Sequence, residues 1–190
     1  GISSGKDLFN VFISMDTASV IVNTVVLMVL VSFGSILIAL PIGWLTVRTD
    51  LPFRRIWSVL TILPLVIPSY VGGFIVITAL GPKGMLQGLL SSFGVERLPE
   101  IYGLQGAFLT LTLLSFPYVL LPIRSSLYKM DSSIEETSNI LGISSWRTFL
   151  RIILPMLRPS LLVGTLIVAL YVLSDFGAVS MLQYETFTWS

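Results

Sequence analysis

The sequence predicts an all-α fold, a polytopic bundle of membrane-crossing helices, and three observations carry that prediction. Apolar residues make up 54% of the 190 and charged ones only 11%, with a mean hydropathy of +0.92; a soluble domain is roughly one-quarter charged. Long stretches hold no charge at all: residues 17–47 run for 31 in a row, where a helix needs about 20 to cross the hydrocarbon core. The charges that do occur gather between such stretches rather than within them. Cysteine and histidine are both absent, which removes disulfides, thiolate nucleophiles, Cys/His zinc sites and imidazole acid–base chemistry. Covalent catalysis is therefore not expected of this chain.

Residues 1–16 lack the basic start and continuous apolar run of a secretory signal. The first span is expected at about 19–47, with Asn23 near its start as a hydrogen-bonding group between helices and Pro41 tolerated near its end. RTDLPFRR follows, a short basic loop. A second span is expected at about 56–81, bent or locally unwound by Pro64, Pro68 and the pair Gly72-Gly73. Residues 83–100 read as an outer loop, with Met85, Leu86, Leu89 and Leu90 spaced for a brief interfacial helix. The third span, 101–123, has no charge and carries Pro117 and Pro122 near its inner end. The fourth, about 159–182, is interrupted by Asp175 alone.

Orientation follows from counting. Arg48, Arg54, Arg55, Arg124, Lys129, Arg147, Arg151 and Arg158 fall on one side, against Lys6, Lys83 and Arg97 on the other; the basic side is expected to be cytoplasmic. The four spans form one transmembrane domain over residues 1–190, with a cytoplasmic loop at 124–158. Both ends then lie outside, which predicts at least one further span before Gly1 and a closing span after Ser190.

The loop is the one long polar segment. Ser132 and Ser133 each have a glutamate three residues on, Glu135 and Glu136, the capping-box arrangement of a helix start. That helix is expected to run to about Leu141, with Gly142 supplying the left-handed corner. Ser144 or Ser145 then caps a second helix, in which Trp146, Phe149, Leu150 and Ile153 form one apolar stripe and Arg147 and Arg151 another face. Pro155 and Pro159 are expected to end it. The product is helix, glycine corner, helix. A rigid lever at the tip of two spans suits the transmission of force from a soluble motor; an amphipathic helix at the membrane surface is the simpler reading of the second half.

The offsets from Glu136-Thr137-Ser138 through Gly142 to Ile152 and Leu154-Pro155 match the EAA loop of membrane subunits of ATP-binding-cassette importers, and the chain resembles that family over essentially its whole length. PIGWLTVRTDLPFRR, IPSYVGGFIVITALGPKG, FPYVLLPIRSSL and VLSDFGAVSMLQYETFT are similar to permeases of the iron(III) type, related to those for thiamine and polyamines, and the match is to the amino-terminal half of a fused double permease. Two departures stand out: Thr137-Ser138 replace the two alanines of the loop, and Gln183-Tyr184 stand where many relatives carry a glycine.

The resemblance implies a MetI-like permease core in a bacterial or archaeal cytoplasmic membrane. It implies as partners an ATPase dimer on the cytoplasmic side, an extracytoplasmic substrate-binding protein and a second permease half or subunit, in contact with membrane lipid and without nucleic acid. The implied coupling residues are Glu135, Glu136, Thr137, Ser138, Leu141, Gly142 and Trp146. No cofactor is expected on this chain; no GxxxxGK[ST] phosphate loop occurs in it, so ATP is expected on the partner. The expected solute is iron(III) or its chelate, with a polyamine, thiamine or another small solute as rivals. A scaffold that transports nothing is the alternative of another class, and a channel is disfavoured by spans without rings of charge. Asp175, with neighbouring Ser174, is a candidate for the translocation pathway, because an ionisable group in an apolar span is costly. The competing reading of Asp175 is a structural hydrogen bond at a helix end.

Overall fold

The computed structural model describes residues 15–81, 84–91, 101–131, 133–186 and 188, with side-chain detail lacking for a few more. The expected outer-loop charges Lys6, Lys83 and Arg97, the carboxyl part of that loop, and Ser132 of the capping box lie outside the described residues.

The described residues form helices in the order α1 Met15–Arg48, α2 Arg54–Leu60, a 3-10 turn Leu63–Val66, α3 Ser69–Leu80, α4 Met85–Ser91, α5 Leu104–Lys129, α6 Ser133–Ile140 and α7 Ser145–Thr148. A π-helical turn Phe149–Ile153 follows, then α8 Leu154–Met156, α9 Arg158–Ser174 and α10 Gly177–Met181. Among the described residues three stretches are long and apolar enough to cross a membrane: Ala18–Arg48, Ser69–Gly88 and Leu104–Lys129. The pair Ser145–Met156 and Arg158–Ser174, bent by 65°, qualifies if taken as one span. Side chains such as Phe33, Leu37, Phe74, Leu162 and Leu166 project outward. In water such continuous apolar faces would associate; in lipid they are the ordinary exterior of helices whose backbone groups are satisfied internally.

The apolar stretch 56–81 is broken more completely than by a bend. Helix α2 ends at Leu60, the chain tightens into the 3-10 turn around Pro64, and α3 starts only after Pro68, whose φ of −59° and ψ of 142° place it outside the helix. Two prolines within five residues remove two backbone donors, so the helix restarts rather than kinks.

By contacts the chain divides into two units, residues 1–31, 67–114 and 169–190 in the first, and 32–66 with 115–168 in the second. In the first, α3 and α10 approach closely at glycines. A Cβ on Gly177 would lie 2.6 Å from Ser69 Oγ and 2.9 Å from Tyr70 N, and one on Gly73 would lie 3.3 Å from Met181 Cβ; small residues let helix backbones meet in this way. Asn23 does not join two helices. Its Nδ2 donates to the carbonyl of Glu185 at 3.3 Å, and Tyr184 Oη donates to the carbonyl of Asn23 at 3.3 Å, so α1 holds the segment after α10.

That segment turns at Gln183, which takes a φ of 54°, a left-handed conformation that costs an L side chain roughly 1 kcal/mol or more. A glycine at this point would remove that strain. Gln183→Gly is expected to raise stability by about 0.5–1 kcal/mol, against some entropy gained by the unfolded chain, measured as a higher unfolding temperature in detergent.

In the second unit α1 and α5 are joined by a buried hydrogen bond between Ser35 and Ser115 hydroxyls at 3.2 Å. A Cβ on Gly43 would stand 2.8 Å from Ile123 Cγ2, and one on Gly164 of α9 only 2.7 Å from Val119 Cα. Ala39, Val119, Leu120, Ile123, Ile153 and Leu157 fill the interior of this unit.

Two arginines finish it. Arg48, last in α1, donates through Nη2 to the carbonyls of Leu127 and Met130 at 2.9 and 2.7 Å. Leu127 lies in the last turn of α5, where its carbonyl also accepts the N–H of Met130 at 3.3 Å, and Met130 follows the helix end; a cation there adds a partner to these terminal carbonyls and meets the negative end of the helix dipole. Arg124 is 6% exposed; it donates from Nε to Thr46 Oγ1 at 3.1 Å, from Nη1 to the carbonyl of Ser58 at 3.2 Å, and from Nη2 to Thr61 Oγ1 at 3.0 Å.

Candidate functional site

The polar lobe begins at Asp131, whose Oδ1 accepts the backbone N–H of Ser133 at 2.9 Å. The start of α6 is thus held by an aspartate ahead of the expected capping serines, which is a cap of the kind Asp makes at orphan helix donors. That hydrogen bond, helped by the Ser133 hydroxyl and the charge of Arg48, holds the Asp131 carboxyl below its usual range. Because the folded pKa is the depressed one, the contribution is fully present above the ordinary carboxylate pKa and is lost as pH falls through the folded value. The amide protection factors at the start of α6, taken relative to the intrinsic rates at each pH, are expected to fall in acid below the carboxylate range, and Asp131→Asn is expected to abolish that pH dependence.

Helix α6 ends at a glycine corner. Gly142 has a φ of 74°, the N–H of Leu141 donates to the carbonyl of Thr137 at 3.1 Å, and the N–H of Ile143 reaches back to the carbonyl of Ser138 at 2.9 Å. The six-to-one return bond around a left-handed residue is the Schellman arrangement, which glycine makes without steric cost. A Cβ on Gly142 would meet nothing within 4 Å, so backbone conformation, not space, is what requires glycine here.

The sequence-predicted coupling residues separate into two faces. Glu136, Thr137 and Gly142 are exposed, Leu141 is 71% exposed and Trp146 67%. Ser138 is 5% exposed and turned into the fold, so of the pair replacing alanines only Thr137 is presented outward. Glu135 lies in α6, with its side chain outside the described residues. The site also contains Ile140, 85% exposed, which the loop pattern alone does not single out. Its adjacency to Leu141 before a glycine corner is the signal that could have found it: two large apolar side chains at the tip of a polar lobe.

Beyond the corner the second helix departs from expectation. Neither Ser144 nor Ser145 caps with its side chain; instead the carbonyl of Ser144 accepts the N–H groups of Arg147 and Thr148 at 2.9 and 3.0 Å. After one α-turn the backbone widens into the π-turn at Phe149–Ile153, and Pro155 is carried inside α8 rather than ending the helix. The 65° bend falls between Met156 and Arg158. A π-turn takes an extra residue per turn, so the buried positions become Thr148, Ile153 and Leu157. The expected stripe is split: Ile153 is buried and Phe149 half-buried, whereas Trp146 and Leu150 are exposed. Phe149 is held edge-on to Trp44 with ring centres 4.9 Å apart, and Trp146 stacks on it at 5.8 Å. An apolar groove of about 610 Å³ remains between Leu37, Trp44, Trp146 and Leu150.

Asp175 is 6% exposed. Its Oδ1 accepts the N–H of Ala178 at 2.9 Å, capping α10, and its carbonyl accepts the hydroxyl of Thr188. Helix α9 stops one residue earlier, at Ser174, whose hydroxyl donates to the carbonyl of Tyr171 at 3.0 Å. The geometry therefore supports the helix-end reading of Asp175. Asp175→Ala is expected to cost about 1 kcal/mol and Asp175→Asn, which keeps the acceptor, much less, measured by thermal unfolding in detergent; equal losses from both would tie the role to charge.

Residues 35–189 match the family described as the inner membrane component of binding-protein-dependent transport systems. Among similar proteins, the molybdenum transport system permease protein ModB of Escherichia coli K12 is 33% identical over 164 residues, covering 81% of this chain and 68% of that protein. The Fe(3+)-transport system permease protein FbpB 2 of Haemophilus influenzae is 36% identical over 171 residues, 90% of this chain and 30% of the relative. A probable sulfate transport system permease protein cysT, from Chlorokybus atmophyticus, is 28% identical over 180 residues, 93% of this chain and 62% of the relative. With a family match across most of its length and apolar helices of membrane-crossing size, the chain belongs to the binding-protein-dependent permeases of ABC importers.

Proposed function

We propose that this chain is the membrane-spanning subunit of an importer powered by a separate ATPase, and that the α6 tip is where the motor engages it. The basic ends of the spans lie in the cytoplasm and carry the α6 lobe with them. The observation that supports this reading best is the tip itself: Ile140 and Leu141 are largely exposed at a polar lobe, on a short helix fixed at one end by Asp131 and at the other by the Gly142 corner. Exposed apolar anchors ringed by polar groups are the form of a protein-docking surface. The ATPase binds and hydrolyses ATP, an external binding protein delivers the solute, a second permease half completes the pathway, and the bend at Leu157 passes motion from the lobe into α9.

The solute is a small inorganic ion. Iron(III) or its chelate is supported by the FbpB 2 relative; an oxyanion is the second reading, supported by the relatives named for molybdenum and sulfate transport. Proteoliposomes holding the transporter with its ATPase and binding protein should take up labelled iron(III), and not molybdate or sulfate, only with ATP. Uptake of the oxyanions alone selects the second reading; no ATP-dependent uptake of any of them overturns both solute readings, and the same failure with thiamine and polyamines, with the complex intact, overturns the importer proposal in favour of a scaffold.

A further inference from the structure

Helices α5 and α9 of the second unit leave between their basic ends a cup of about 260 Å³, distinct from the α6 tip. It is lined by Lys129, by the serines Ser125, Ser126 and Ser160, and by Pro122 and Pro159. Its chemistry is one-sided: a cation and three hydroxyls, with no carboxylate in the lining.

The surface next to the cup is apolar. Val163 closes its edge, and Leu162, Leu166 and Leu121 stand exposed on the two helices that form it. Tyr128, 63% exposed, precedes Lys129, and tyrosine at the end of a span marks the headgroup level of a bilayer. A polar, cationic concavity directly beside an exposed leucine and valine surface is complementary to a molecule that is anionic at one end and hydrocarbon at the other. Basic pockets between helices on the cytoplasmic side bind lipid headgroups for this reason.

We propose that this cup binds the headgroup phosphate of an anionic phospholipid, with Lys129 as its cationic partner and Ser125, Ser126 and Ser160 as hydrogen-bond donors, while the acyl chains lie along Leu162 and Leu166. The site bridges the end of α5 to the start of α9, immediately after the bend. The proposal rests on the membrane orientation given above and is independent of which solute is carried.

The test uses the purified transporter in neutral detergent, with added phosphatidylglycerol, phosphatidylcholine or inorganic phosphate, read by thermal unfolding and by native mass spectrometry of bound lipid. Phosphatidylglycerol is expected to raise Tm by about 3 °C more than phosphatidylcholine. Lys129→Gln combined with Ser126→Ala should lose most of that difference and the retained lipid, while Lys129→Arg keeps both. The Tm of each variant in phosphatidylcholine shows whether it is folded, and single Ser126→Ala and Ser160→Ala variants stand in if the double variant is not. An equal response to the two lipids, or a full phosphatidylglycerol response in the variants, overturns the proposal; so does an equal shift with inorganic phosphate, which would make the cup a site for free anions. None of these readouts requires transport, so failure here leaves the importer assignment standing.

Discussion

A Leu141→Asp variant is expected to fold as the parent does and to lose ATP-driven uptake. Leu141 is 71% exposed, so a carboxylate there costs the isolated chain almost nothing. Buried in a partner's groove, the same carboxylate would be desolvated beside apolar surface. Loss of a central apolar anchor typically costs about 2 kcal/mol of association, roughly thirty-fold in affinity. Co-purification of the ATPase should fall accordingly, and uptake in proteoliposomes with it, while Tm in detergent stays within experimental scatter. Gly142→Ala probes the same lobe from its backbone. The added methyl has open space, but a left-handed alanine costs roughly 1–2 kcal/mol, so the corner relaxes and the tip shifts; Gly142→Asn, better suited to that conformation, should be milder. Unimpaired uptake by Leu141→Asp would refute coupling through this tip.

Arg124→Ala is expected to be the most destabilising substitution in the second unit. Helix α2 is seven residues long and buries no side chain among its own residues, too short to be stable alone. Arg124 reaches it twice, at the Ser58 carbonyl and the Thr61 hydroxyl, and grips α1 at Thr46 with the same guanidinium. Hydrogen bonds from a charged donor contribute about 1.5–3 kcal/mol each, and their loss is not additive, so the net cost is set at about 3 kcal/mol. For a chain of this size that is a fall in Tm of about 9 °C. Arg124→Lys should recover only part of it, since an ammonium on a flexible stem cannot span the three acceptors as the planar fork does. A Tm unchanged in Arg124→Ala would show that α2 is held by something else.

The positions of these residues show what could be read from sequence and what could not. Charge-free runs announced the apolar helices because the hydrocarbon core admits nothing else. The helix, glycine corner and helix of the lobe were legible because Gly142 and the capping region act locally, through backbone groups within six residues. Asp175 offered two readings from sequence; its cap on Ala178, three residues on, is local, and only the fold brought Thr188 to its carbonyl.

Arg48 and Arg124 were legible as charges between apolar runs and not as structural links. Their acceptors, Leu127 and Met130, Ser58 and Thr61, lie more than sixty residues away, and no local pattern encodes such a pairing. The split of the Trp146 to Ile153 stripe was hidden for a related reason. A 3.6-residue period assumes a regular helix, whereas the backbone widens into a π-turn where Phe149 packs on Trp44, just ahead of the bend at Leu157. What the sequence by itself determined is which segments are apolar enough for a membrane and where the lobe turns, since both follow from solvation and local backbone geometry. Which side chains face inward, which arginine holds which helix, and that the tip presents Ile140 and Leu141 while hiding Ser138 were decided only by tertiary packing, because those outcomes depend on partners far along the chain.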